Sequence, residues 1–152
     1  MPTHHEGTAR ERRALDAYIT LMRAAESVTA RTSKAMTAHD LSVSQFGALE
    51  ALHHLGPMQL SELARKLLKT SGNITMVVDN LERRKLVARR RLEDDRRCVI
   101  VGLTARGEAL IARVFPLVLD AIALELSVLE PAEQDELHRL AKKLGLGNKL
   151  QA

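Results

Sequence analysis

The chain has 152 residues, of which 45% are hydrophobic and 28% charged, and its formal net charge is +4. That balance excludes intrinsic disorder and fits one ordinary domain, or a small domain carrying an oligomerisation element. Aromatic residues are only 2% and Trp is absent, so aliphatic side chains must fill the core, and a surface that stacks single-stranded bases is disfavoured.

A single cysteine, Cys98, excludes an internal disulfide framework and points to a reducing compartment. Residues 1–13 are polar and lack the apolar core of a secretory signal, and no apolar run is long enough to span a bilayer. The expectation is a cytoplasmic protein without a membrane partner.

Residues 1–12 hold few apolar anchors and read as a flexible lead-in. From Leu15 the set Tyr18, Ile19, Met22, Ala25, Val28, Thr32, Ala35 and Met36 keeps three- and four-residue steps with no Gly or Pro, which predicts a long amphipathic helix. Such a helix is longer than a small compact core needs and suggests subunit pairing. Ser42 and Ser44 are candidate caps for a second helix carrying Phe46, Leu49, Leu52 and Leu55, which Gly56-Pro57 stops.

Met58-Gln59-Leu60 reads as an extended linker at the edge of a tiny sheet. Leu60, Leu63, Ala64 and Leu67 mark a short helix, and a brief turn leads to a second helix over residues 71–84. The pair reads as a helix-turn-helix. Thr70 and Ser71 can cap the second helix, and Ile74, Val77, Val78 and Leu81 form its apolar side. The opposite side shows Ser71, Asn73, Thr75, Met76, Asn80 and Arg83, where a solvated helix would carry Glu and Lys. Ser, Asn and Thr suit the edges of DNA bases, since Asn can bond adenine in bidentate fashion and the Thr methyl can touch thymine.

The pattern then changes. Residues 86–92 and 98–103 are plausible strands around the polar tip Glu93-Asp94-Asp95-Arg96-Arg97, which makes a wing. Arg89, Arg91, Arg96 and Arg97 fall in a dense basic segment with Arg83, Arg84, Lys85 and Arg90, the kind of local concentration that builds a phosphate footprint. Thr104 caps the next helix, whose apolar face runs to Leu129, with Pro116 inside it expected to bend it or break a hydrogen bond. Pro131 opens a final helix with Leu137, Leu140, Ala141 and Leu144 on one stripe, ended by Gly145 and Gly147.

The segment LSELARKLLKTSGNITMVVDNLERRKLV, the wing tip DDRR, the step Leu103-Thr104-Ala105-Arg106-Gly107 and the run PAEQDEL at residues 131–137 together resemble the multiple antibiotic resistance regulator (MarR) family of bacterial transcription factors. The resemblance covers roughly residues 15–146 and implies a mainly α, α+β fold, a winged helix-turn-helix with a helical dimerisation region. In those terms residues 13–40 and 104–146 form the dimerisation helices and 41–103 the DNA-binding lobe. It further implies a homodimer that places a recognition helix in the major groove of double-stranded DNA and a wing arginine in the minor groove. By motif, Ser71, Asn73 and Thr75 fall at base- and phosphate-contacting positions, and Asp95 is expected to orient the guanidinium of Arg97. Two departures stand out: Lys85 where the family usually has Gly, and Glu130 where Ser or Thr is the common cap.

A ligand-responsive repressor on a pseudo-palindromic operator is therefore the expected function. The resemblance also implies a small aromatic or phenolic effector in a crevice between the dimer helices and the lobe, with Met22, Phe46 and His53 on elements that could line it. The bland alternative for Met22 and Phe46 is packing. The six histidines show no metal-ligand spacing, no nucleophile elbow or phosphate loop is present, and no catalytic residue, metal or cofactor is expected. Arg96 and Arg97 beside Cys98 could favour its thiolate, but a small apolar filler is the plainer role. An alternative from another class is a helical adaptor whose basic hairpin binds an acidic protein partner.

Overall fold

The computed structural model describes residues 4–67 and 69–147. Its elements, in order, are α1 (Ala9–Thr37), α2 (Val43–Leu55), β1 (Met58–Gln59), α3 (Leu60–Lys66), α4 (Ser71–Arg83), β2 (Val87–Arg91), β3 (Val99–Leu103), α5 (Ala105–Leu126) and α6 (Pro131–Leu146). This is the mainly helical winged helix-turn-helix architecture expected from the pattern. The quoted segment's Leu68 lies outside the described residues.

Local chemistry sets the helix ends. Thr8 Oγ1 accepts from the Glu11 N–H at 3.2 Å while Glu11 Oε2 accepts from the Thr8 N–H at 2.7 Å. This reciprocal capping box starts α1 at Ala9. Residues 9–12, read from sequence as part of a flexible lead-in, are therefore helical, and the Thr8 bonds hold the Glu11 carboxyl below its ordinary pKa. Ser42 and Gln45 make the same box at α2. At α6 the Glu130 N–H donates to Glu133 Oε2 at 2.8 Å, the half of a capping box that the third helical residue supplies. α5 continues through Pro116, held by buried Ile111, Val114 and Val118 on its inner face.

The sheet is small and antiparallel, in the order β1-β3-β2, with Met58 opposite Val101 and Arg89 also opposite Val101 on the other side. The core sits where α2, α3, α4, the sheet and the first half of α5 meet. Leu41, Leu49, Leu63, Ile74, Val78, Leu81, Val101 and Ile111 are all at most 1% exposed. The remaining helices are different. α1 buries only Thr32 and Met36, and α6 buries no residue at all. Arg31 Nε on α1 reaches Glu125 Oε2 on α5 at 2.6 Å, one of the ties between these long helices.

Two short loops carry left-handed residues. At the end of α4 the Leu86 N–H bonds the Leu81 carbonyl (2.9 Å) and the Lys85 N–H bonds the Glu82 carbonyl (2.8 Å), a Schellman closure with Lys85 at φ +60°. The positive φ that glycine would supply is thus adopted by lysine. Asp40 does likewise at φ +57° after α1. Gly107 has a different task. It is buried in the first turn of α5, where the backbone of Leu86 passes directly against its Cα.

Candidate nucleic-acid interface

The site begins at the amino end of α4. Thr70 Oγ1 accepts from the Asn73 N–H at 3.3 Å and leaves Ser71 and Asn73 exposed on the first turn. No acidic residue lies in that turn, so the partial positive charge of the helix start is not cancelled. Thr75 is half-buried and its hydroxyl donates to the Ser71 carbonyl at 2.8 Å. Its hydrogen is therefore committed to the backbone, and its methyl and the accepting side of its oxygen are what remain to offer a partner. Met76, 71% exposed on the same helix, is an apolar side chain in open water with no packing reason for its position.

The wing stands beside this turn. Arg97 and Cys98 share a cleft of about 220 Å³ with Ser71, Thr75, Ser61 and Gln59, so the wing base, the α4 start and the α3 start converge. Arg91, Asp95, Arg96 and Arg97 are exposed. Asp95 Oδ1 accepts from the backbone N–H of Arg97 at 3.0 Å, and the Cys98 N–H donates to the Asp95 carbonyl at 3.0 Å. Asp95 hence shapes the turn of the wing. The expected grip on the Arg97 guanidinium is replaced by a bond to its main chain, because a side chain two residues earlier reaches that N–H with little loss of rotamer freedom.

Arg89 is placed otherwise than the sequence reading had it. Its Nη1 lies 2.7 Å from Asp79 Oδ1 and its Nε 2.5 Å from Glu82 Oε2, both on α4. Partial burial opposes its charge, but the bonds to Glu82 and Asp79 outweigh this and raise its pKa. The strand alternation decides the matter: Arg89 shares the face of buried Val87, which packs toward α4. Asn80, read from sequence as part of the polar face, is likewise committed, with Oδ1 accepting from Gln45 Nε2 at 2.9 Å. Nothing in the sequence spacing distinguishes Asn80 from Asn73. Ser61 and Gln59 are the residues that sequence reasoning missed; the start of α3 preceding a helix-turn-helix was the available signal.

Comparison with known proteins agrees with this geometry. The MarR family model matches residues 41–99. The HTH-type transcriptional regulators YkoM and MhqR of Bacillus subtilis are 35% and 34% identical, over 88% and 90% of this chain and 87% and 94% of theirs. The chain belongs to the MarR family. It is a family of transcriptional regulators and not of enzymes. A solved structure of Bordetella bronchiseptica BpsR, whose work concerns regulation of DNA binding by 6-hydroxynicotinic acid, superposes with a TM-score of 0.78 at 27% identity, covering 85% of this chain and 98% of that one.

Within this MarR-family chain the three residues suggested for an effector crevice are not equivalent. Phe46 is a core residue, 7% exposed and stacked on Phe115 with centroids 6.5 Å apart. α2 and α5 close over the ring. His53 is half-buried with Nδ1 2.7 Å from Glu108 Oε1, an ion-pair distance without hydrogen-bond alignment. Met22 is 50% exposed on α1. Among the described residues no group of three His, Cys, Asp or Glu is placed to hold a metal, and no helix is long and apolar enough to cross a membrane.

Proposed function

We propose that this chain is a homodimeric, cytoplasmic repressor that binds a pseudo-palindromic operator in double-stranded DNA and releases it on binding a small aromatic or phenolic effector. The observation that carries the reading is the convergence of Ser71 and Thr75, at the uncancelled start of α4 that also exposes Asn73, with Arg97 of the wing across one cleft. Asn73 then meets a base edge in the major groove, Ser71 and Arg96 hold phosphates, the Thr75 methyl touches a thymine, and Arg97 enters the adjacent minor groove. Arg91 adds phosphate contact at the wing. Asp95 contributes by fixing the turn that aims Arg97. Arg89 serves the wing by anchoring it to α4.

The homodimer reading is supported by the uncovered apolar faces of the long helices: Tyr18, Met22, Leu117, Leu124, Leu140 and Leu144 are each at least 48% exposed. Large apolar side chains left uncovered in that number mark an interface. Residues 13–40 and 104–146 therefore serve as dimerisation helices around a DNA-binding lobe over residues 41–103, and they set two α4 helices about one DNA turn, ~34 Å, apart. The effector reading rests on BpsR, in which 6-hydroxynicotinic acid regulates DNA binding, and it keeps Met22, exposed on α1, and half-buried His53 as the residues to line the effector site.

The test is fluorescence anisotropy of the protein on duplex from its own promoter and on a scrambled duplex at two salt concentrations. The expected result is preference for the promoter duplex, and affinity falling by about 0.9 log units per log unit of salt for each phosphate neutralised. Equal binding of both duplexes in moderate salt overturns the reading.

A further inference from the structure

We propose that a basic cavity at the far end of the recognition helix is a binding site for a small organic dianion, distinct from any crevice near His53. The cavity holds about 460 Å³ and is lined by His39, Asp40, Arg84, Leu86, Arg106 and Arg113, with Ala109 between the last two leaving room for a ligand. It lies where the turn after α1, the end of α4 and the first half of α5 meet. Ser71 and Asn73 are at the other end of α4, about 20 Å away along a helix rising ~1.5 Å per residue.

The charge of the cavity is unbalanced. Its lining carries three arginines and a single carboxylate, that of Asp40, a surplus of two positive charges for a ligand to meet. Arg106 and Arg113 are seven residues apart on α5 and so share one face, and among the described residues neither makes an ion pair. Arg106 is also placed against the local field, since a cation in the first turn of a helix faces the positive end of its dipole. An exposed pair with no structural partner, one member in an unfavourable position, is what an anion site looks like before it is filled. Guanidinium forks favour planar carboxylates, which they bind through two parallel bonds. A dicarboxylate on an aromatic ring fits the charge surplus and the apolar floor from Leu86.

Arg84 links the cavity to α4. It caps the helix, and its Nη1 donates to the carbonyl of Asp40 at 2.7 Å, tying the left-handed turn after α1 to the end of α4. A carboxylate that draws Arg84 away from that carbonyl loosens the tie and favours a different setting of α4. This consequence rests on the regulatory reading above; the site itself does not.

Isothermal titration of phthalate into the DNA-free full-length protein tests the site, with benzoate and inorganic phosphate as comparisons and Arg106→Ala/Arg113→Ala as the variant. The expected result is one phthalate per protomer, binding at least tenfold tighter than benzoate or inorganic phosphate, with affinity lost at least tenfold in the double variant. The variant's unliganded melting temperature should be unchanged or raised, since it removes unpaired charge. Phthalate affinity within twofold of wild type in the variant overturns the site. Benzoate or inorganic phosphate binding as tightly overturns the dianion assignment. In a separate assay, saturating phthalate should weaken wild-type binding to promoter duplex at least fivefold and leave the double variant unmoved; an unaffected wild type overturns the coupling through Arg84. Because the titration contains no DNA, its failure is separable from failure of the operator reading.

Discussion

A Cβ atom on Gly107 would lie 1.9 Å from the carbonyl oxygen of Leu86, which is itself accepting the Thr104 N–H at 3.1 Å. The partner is backbone pinned by the α4 closure on one side and by β2 on the other, so it cannot yield as a side-chain tip would. Gly107→Ala should therefore destabilise the fold by about 1–3 kcal/mol, the usual cost of overpacking a filled site. Urea unfolding followed by circular dichroism measures it; an unchanged midpoint would show that the α5 start can drift from Leu86 freely.

Lys85 carries the opposite expectation. Its φ of +60° places a Cβ in the left-handed region within a closed Schellman turn, while its carbonyl accepts from Thr104 Oγ1 at 2.7 Å. Lys85→Gly removes that strain and keeps both backbone bonds. A gain of about 1 kcal/mol is expected once the extra chain entropy of glycine is set against it. A lower melting temperature for this variant would contradict the account.

Arg89 and Arg97 are both wing arginines, yet alanine at each should be read by a different instrument. Arg97 is exposed at the cleft beside Ser71 and Thr75. Arg97→Ala should cost tenfold or more in promoter affinity with no shift in thermal midpoint. Arg89 is held by Asp79 and Glu82, and partly exposed pairs of this kind contribute up to about 1 kcal/mol each. Arg89→Ala should lower the midpoint and leave the salt slope of DNA binding unaltered. If the slope falls by about one unit instead, Arg89 neutralises a phosphate and the internal pairing is broken on the duplex.

Asn73 and Asn80 make a matched comparison on one helix. Replacing Asn73 by Ala should reduce discrimination between promoter and scrambled duplex by about 1–3 kcal/mol, the range for a lost base contact. Asn80→Ala should instead act on stability, by leaving Gln45 Nε2 without its 2.9 Å acceptor. Anisotropy titrations of both variants, run beside melts, separate the two. The proposal for α4 fails if Asn73→Ala binds both duplexes as the wild type does.

An acidic residue in the uncovered stripe of α6 should divide the assembly. Leu140 is 48% exposed on a helix that buries nothing within its own chain. Leu140→Asp should shift the sedimenting species from dimer toward monomer and reduce promoter affinity, because one lobe holds only half of the contacts. A stable dimer of the variant would place the interface elsewhere.

Much of this molecule could be read along the chain because its helices advertise their periods and ends. The stripe Ile74, Val78 and Leu81 is buried as its spacing requires, and Thr104 and Ser42 cap as their positions suggest. The start of α1 was legible too, in Thr8 and Glu11 three residues apart, but the polar composition around them masked it. Other features had no one-dimensional signal. For Phe46 the sequence favours packing over a pocket wall, but nothing along the chain names the partner that α5 brings over it, Phe115.

Residue order by itself determined the elements, the positions of the caps and the concentration of arginine at the wing, since these depend on neighbours within a few residues. Tertiary structure decided which polar groups remain unspent. Arg89 and Asn80 are consumed by Asp79, Glu82 and Gln45, whereas Asn73 stays exposed and Arg84, Arg106 and Arg113 are gathered around one cavity from two helices. The reason is physical: a charged or amide side chain binds whichever partner the fold sets within about 3 Å, and that distance is fixed by packing between segments far apart in sequence.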